Sequence, residues 1–257
     1  PVNPADPLSH YDEPTRQSPA LLERDRHRRQ ALERVLQGAA ARWAVSEAFA
    51  ALHRQAGIRN VQVMSNRWQP MAVAAPRGRR PAELPLRACF VGGLSLHKGF
   101  AVLQAALLQA QLLEPGLELT LVDAALEPDA GYALLWGNTP VQVVPAVAME
   151  AMANFYAKQD VLLAPSIWPE SFGLVTREAL SAGLWVVASA CGALAEPIRP
   201  GQNGHVVPPG DAAALAAVLE ELCANHPTPQ PLLAFRGDQQ SLGAELDQAY
   251  RQLLRVT

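Results

Sequence analysis

From about residue 87 the chain alternates short apolar runs with stretches of helical periodicity, and this alternation leaves few folds open. The runs occupy 88–91, 117–122, 141–144, 161–164, 185–188 and 205–207, and helical patterns fill most intervals, at 99–113, 149–159, 172–182 and 212–223. Strand–helix–strand units of this length cross over right-handedly and build a parallel sheet with helices on both faces. The runs are mostly continuous rather than alternating in polarity, as expected of strands buried on both sides. The pattern therefore predicts an α/β doubly wound parallel sheet, Rossmann-like, whose ligands bind beyond the carboxyl ends of its strands.

The first 86 residues read differently. Residues 1–20 are polar and Pro-rich and read as loop, and 21–36 carry Leu21, Leu22, Leu32, Val35 and Leu36 at helical spacing. A strand-like run at 41–45 leads to a helix that Ser46 can cap and Gly57 can stop, and 61–64 reads as a second strand. Pro70, Pro76, Pro81 and Pro85 mark a linker. The expected organisation is a mostly helical N-terminal appendage at 1–70, a linker at 71–86 and the Rossmann-like domain at 87–257. Its last helix, 242–254, is amphipathic and reads as a packing element. The apolar faces Leu32/Val35/Leu36 and Trp43/Val45 are expected to be covered by the C-terminal domain or by another copy of the chain in a homodimer.

Charge narrows the partners. A net charge of −3 speaks against nucleic acid. Arg24, Arg26, Arg28, Arg29 and Arg34 crowd one early segment, but Glu23, Asp25 and Glu33 interleave them, which favours a solvated helix face over peripheral contact with an anionic membrane. No run approaches the ~20 apolar residues of a membrane span. The first residues lack the apolar core of a signal peptide, and because the chain starts at Pro1 it is read as a fragment or processed form of a longer protein. Cys89, Cys191 and Cys223 lie far apart without metal-ligand spacing, which fits reduced thiols in a cytoplasmic protein and predicts no metal site.

Two segments carry candidate chemistry. Gly92-Gly93-Leu94-Ser95-Leu96-His97-Lys98-Gly99 follows the first strand of the domain; its glycines let backbone approach a diphosphate and Lys98, one of only two lysines, supplies countercharge. The spacing is neither a Walker loop nor the dinucleotide fingerprint. A tight turn with an exposed Lys, and a solvated His97, explain the segment equally well. In the second segment, Pro169 disfavours helix before it and Ser171 suits a cap, so a helix is expected from Phe172 with the amides of Phe172, Gly173 and Leu174 free for an anion. Glu178 would then lie roughly 9 Å along the axis, about the span of a nucleoside diphosphate, with Glu170 facing the group beyond it. The competing reading is two surface carboxylates on a capped helix. Cys191 reads as a small buried apolar residue.

The Glu-x7-Glu element from Glu170 to Glu178, its continuation Ala179-Leu180-Ser181-Ala182-Gly183 into the next strand, and Asn203-Gly204-His205-Val206-Val207-Pro208-Pro209-Gly210-Asp211 resemble the C-terminal domain of glycosyltransferase family 4. The loop from Gly92 to Gly99 is similar to that family's phosphate loop, and Val45-Ser46-Glu47 with the strand up to Asn66 resembles the end of its N-terminal domain. The resemblance runs from about 40 to 225, in the family's order. It implies the donor half of a two-Rossmann (GT-B) transferase that moves a sugar, with retention and without metal or other cofactor, from a nucleotide-diphosphate sugar to a glycan or lipid-linked acceptor, as in lipopolysaccharide or other polysaccharide assembly. It places the protein in the cytoplasm or at the inner face of the membrane.

By the same resemblance, Gly92, Gly93 and Lys98 would meet the diphosphate with the amides at Phe172, Gly173 and Leu174, and Glu178 would hold the ribose. Glu170 would contact the sugar as clamp or nucleophile, Lys98 and Glu170 would be the catalytic pair, and Val147 and Met149 would flank the base. Three positions depart from the family pattern: Gly93 for a common Arg, Pro145 for Gly and Arg67 for Gly. Gly93 opens an alternative, a non-catalytic nucleotide-binding or interaction domain that keeps the fold. An acceptor domain commonly needs on the order of 150 residues, so the 257-residue chain is expected to bind nucleotide without transferring sugar by itself.

Overall fold

The structure is a computed structural model and describes residues 18–71, 78–114, 116–228 and 239–256. These residues fall into two compact units, one spanning Gln69–Ala234, the other joining the described parts of Val2–Trp68 and Phe235–Thr257. The closing helix, α7 (Gln239–Val256), therefore groups with the N-terminal segment rather than with the sheet that precedes it in sequence.

In the smaller unit, α1 (Pro19–Gly38) starts with Pro19 at its first turn, where the missing N–H costs nothing. Strands β1 (Arg42–Ala44) and β2 (Val61–Val63) pair in parallel around α2 (Glu47–Gln55), whose Ser46 cap accepts from the amide of Phe49 at 3.1 Å. Ala44, Ala50, Ile58 and Val61 form its core, with Leu36 packed on them. On α1, Leu32 and Val35 are 53% and 70% exposed in the single chain. Trp43 meets the ring of Tyr250 on α7 edge-on at 5.8 Å.

The larger unit is a seven-stranded sheet. In chain order its elements are β3 (Leu86–Val91), α3 (Phe100–Gln109), β4 (Leu117–Val122), β5 (Tyr132–Trp136), β6 (Thr139–Val144), a 3₁₀ turn at Met149–Ala151 running into α4 (Met152–Tyr156), β7 (Val161–Ala164), α5 (Leu174–Ser181), β8 (Trp185–Ser189), β9 (Gly204–Val207) and α6 (Ala212–Ala224). The strand order is β5-β6-β4-β3-β7-β8-β9, all parallel except β5.

Side chains alternate across a strand, so each continuous apolar run feeds two cores. Leu86, Ala88, Phe90, Val161, Leu163, Trp185 and Val187 pack on the face that holds α3 and α6. Cys89, Leu162, Ala164, Val186 and Ala188 pack on the face that holds α4 and α5. The chain proceeds from β3 outward to β4 and then returns to lay β7 on the other side of β3. That reversal opens a crevice at the carboxyl ends of β3 and β7.

The interval between β4 and β6 holds an antiparallel strand, whereas the β3–β4, β6–β7 and β7–β8 intervals hold helices. β5 turns back through Gly137 and Asn138 to pair Trp136 with Thr139. Only Trp136 of β5 is buried, its ring edge-on to Phe100 at 5.5 Å.

Candidate active site

Two loops meet at the topological switch. The loop after β3 and the loop after β7 approach so closely that a Cβ on Gly99, at φ +82°, would lie 1.9 Å from the carbonyl oxygen of Pro165. Only glycine serves there. The amides of Ile167 and Trp168 donate to His97 O at 3.0 and 3.3 Å, and the His97 and Trp168 rings stand edge to face at 5.6 Å.

This junction brings Lys98 and Glu170 together, Nζ to Oε1 at 2.6 Å, with the lysine side chain 42% and the glutamate side chain 19% exposed. Ser166, buried at the end of β7, sits beneath them. Its Oγ lies 2.7 Å from His97 O, 3.0 Å from Trp168 O and 3.3 Å from Glu170 Oε1. A hydroxyl has one proton, so it serves one of these acceptors at a time. Ser189, at the end of β8, donates to Ser166 O and fixes the serine's backbone.

Glu170 is held from the other side by the loop after β8. Its carbonyl accepts from the amide of Ala193 at 2.8 Å, and a Cβ on Gly192 would fall 2.3 Å from that carbonyl and 2.5 Å from the Glu170 nitrogen. Cys191, in the same loop, is buried, and burial with the nearby Glu170 charge pushes its thiol up to about 11.

The helix α5 starts later than its sequence suggests. Ser171 is exposed and does not cap it; Gly173, at φ +68°, is the cap residue and Leu174 the first helical position. The cause is the chain passing behind, since a Cβ at Gly173 would stand 3.0 Å from Leu194 Cα and 3.1 Å from Ala193 O. Thr176 Oγ1 donates to Gly173 O at 2.8 Å. The amides of the first turn, at Leu174, Val175 and Thr176, have no acceptor within the helix, so this end remains an anion-attracting terminus. Phe172 lies before the helix and is buried, with the Arg177 guanidinium 4.1 Å above its ring. Glu178 thus stands four residues from the helix start, roughly 6 Å along the axis rather than 9.

Glu178 is 7% exposed, and its Oε2 accepts from the Tyr156 hydroxyl at 3.2 Å. Burial pushes its carboxyl above the usual range, and the tyrosine's hydrogen bond pulls it back. Burial, with the Cys89 and Glu178 charges, holds Tyr156 far above the ordinary phenol. Of the remaining candidates, Val147 packs against the α4/α5 core, whereas Met149 is 68% exposed at the start of the 3₁₀ turn.

Gly92 and Gly93 have separate jobs. A Cβ at Gly92 would press on Lys98 Cβ at 2.9 Å, and one at Gly93, at φ +64°, would lie 2.7 Å from Asp123 Oδ1. Asp123 follows β4 and is 7% exposed, with Oδ1 accepting from the amide of Ala125 at 3.0 Å. Tyr156, Ser166 and Asp123 escaped the sequence reading because each becomes relevant through a partner distant in sequence. Among the described residues no three His, Cys, Asp or Glu side chains converge as a metal site would require.

Comparison with known proteins places this geometry. The family model for glycosyl transferases group 1 matches residues 85–225. The phosphatidyl-myo-inositol mannosyltransferase of Mycobacterium leprae is 52% identical over 66 residues, 26% of this chain and 18% of the relative. The glycogen synthase of Mycobacterium tuberculosis is 31% identical over 177 residues, 65% of this chain and 40% of that protein. The chain thus spans well under half of the curated relatives it matches. Among solved structures, the sucrose-phosphate synthase of Thermosynechococcus elongatus superposes with a TM-score of 0.72 at 22% identity, covering 97% of this chain and 65% of that one. Anabaena HepE in complex with UDP and glucose superposes at 0.64 and 20% identity, covering 89% and 69%.

Proposed function

The chain belongs to the glycosyl transferases of group 1, and from that premise we propose that it is the donor-binding part of a retaining transferase that takes a nucleotide-diphosphate sugar. The observation that carries this reading is the convergence of Lys98 and Glu170 at 2.6 Å in the switch-point crevice, beside the start of α5. Lys98 and the first-turn amides of α5 receive the diphosphate, aided by Gly92 and Gly93. Glu178 takes the ribose hydroxyls from its place on α5, Glu170 faces the sugar, and Val147 and Met149 flank the base.

In the reaction the bond between the anomeric carbon and the diphosphate oxygen breaks while an acceptor hydroxyl bonds to that carbon from the same face. The acceptor's proton goes to the departing diphosphate. Lys98 and the helix terminus stabilise the charge that builds on the leaving group, a preorganised electrostatic contribution. These residues supply the countercharge without a metal or other cofactor. The acceptor is a glycan or lipid-linked saccharide, and the site of action is the cytoplasm or the inner face of the membrane. Among the described residues no helix is long and apolar enough to cross a membrane.

A second reading has its own observation. Gly93 occupies a left-handed backbone position where an added Cβ would lie 2.7 Å from Asp123 Oδ1, so an arginine there would strain the phosphate loop. A non-catalytic nucleotide-binding domain would tolerate the lack of that arginine. Thermal-shift screening of UDP-, GDP- and ADP-sugars, followed by transfer assays on the full-length protein, tests both. Binding without turnover favours the second reading, and absence of binding to any of them overturns both.

A further inference from the structure

We propose that the Lys98–Glu170 ion pair is an internal competitor for the donor, which makes the crevice favour a nucleotide sugar over the corresponding nucleoside diphosphate. The inference rests on the donor-site reading above and concerns how that site discriminates.

The cation assigned to phosphate is paired with the carboxylate assigned to sugar, at 2.6 Å. The two partners differ in freedom. Glu170 is held at its backbone by the Ala193 amide and by a parallel bridge to Gly192. Lys98 is 42% exposed on a flexible stem, so lysine is the partner that moves.

A nucleoside diphosphate that draws Lys98 away leaves the 19% exposed carboxylate without its cation and facing added negative charge. Ser166 offers little relief: its hydroxyl lies 3.3 Å from Glu170 Oε1 but 2.7 Å from the competing His97 carbonyl. A sugar on the diphosphate brings hydroxyl donors to the same carboxylate and restores what the lysine withdrew. Once the sugar has been transferred, the remaining diphosphate lacks those donors, and the ion pair reforms against it. The pair therefore favours donor entry and product exit.

The test is calorimetric titration of the full chain and its Glu170→Gln variant with UDP, GDP and ADP and with UDP-glucose, GDP-mannose and ADP-glucose. Glu170→Gln should tighten the nucleoside diphosphate that binds by roughly two- to fivefold, the scale of a partly exposed ion pair, while its sugar conjugate gains less or weakens. Glu170→Ala should show the same gain, which separates release of Lys98 from a new amide contact. Unchanged or weakened diphosphate affinity in both variants overturns the competition and leaves the donor site standing. A gain confined to Gln also overturns it. If wild type and both variants unfold cooperatively yet bind none of the six compounds, the donor-site reading itself falls.

Discussion

The hydroxyl of Tyr156, on α4, stands 3.2 Å from Oε2 of Glu178, on α5, and is the neutral donor that lets a carboxylate remain almost fully buried. Burial raises the Glu178 carboxyl in the folded protein, so the native state holds its proton more tightly than the unfolded chain does. The stability this gives is fully present below the unfolded pKa and is lost as pH rises toward the folded value.

Glu178→Gln should therefore raise the unfolding midpoint at pH 7 and flatten its decline above about pH 4.3, the unperturbed glutamate value. Tyr156→Phe should do the reverse, costing about 1–3 kcal/mol and steepening the decline, because the carboxylate loses its donor. Thermal melts from pH 4 to 8 check both. In binding, Glu178→Gln should weaken ribonucleotides more than 2′-deoxyribonucleotides; equal weakening would remove Glu178 from the ribose.

Lys98→Ala should weaken nucleoside diphosphates more than nucleosides. The expected loss lies near the lower end of the roughly 1.5–3 kcal/mol of a charge-assisted bond, since the lysine is part-exposed and gives up Glu170 in order to bind. Paired titrations with UDP and uridine, or the base that binds, decide it. Equal losses would put Lys98 outside the phosphate site.

Replacing Gly93 with Arg should not strengthen nucleotide binding. The positive φ costs roughly 1–2 kcal/mol for a non-glycine residue, and its Cβ would press on Asp123 Oδ1. Adding Asp123→Ala should recover part of the stability. Tighter nucleotide binding by the single variant would show that the loop relaxes more than this packing allows.

Cys191 and Cys223 should resist alkylation in the native protein at pH 8. Both thiols are buried, and burial raises them to about 11 and about 12. Mass spectrometry after iodoacetamide treatment, with and without denaturant, reads the outcome; rapid native labelling of Cys191 would mean that the loop after β8 opens.

The strands β7 and β8 are legible because burial on both faces writes itself as an unbroken apolar run, while β3 and β4 keep enough of one to be legible despite Arg87, Glu118 and Thr120. β5 is not. Its exposed Tyr132, Leu134 and Leu135 break the equation of apolar with buried, and the one available signal was Gly137-Asn138, a two-residue hairpin turn. The Glu170 and Glu178 spacing points to one crevice from sequence alone, but α5 starts at Leu174, two residues beyond the start that a Ser171 cap implies. Ser171 has the chemistry of a cap, but the chain at Ala193–Leu194 requires a left-handed glycine at 173. Tyr156 lies 22 residues from Glu178, and no local pattern joins them.

Gly192 has a consequence for how such a site can diversify. Because its missing side chain lets the loop after β8 lie against the Glu170 main chain, the backbone of the acid is set by a loop that carries none of the proposed ligand contacts. Insertions or substitutions around Cys191–Ala193 would tilt the carboxylate toward a different sugar hydroxyl while the diphosphate seat stayed as it is. A lineage could thus explore new sugars by editing one loop and inherit its grip on the nucleotide unchanged.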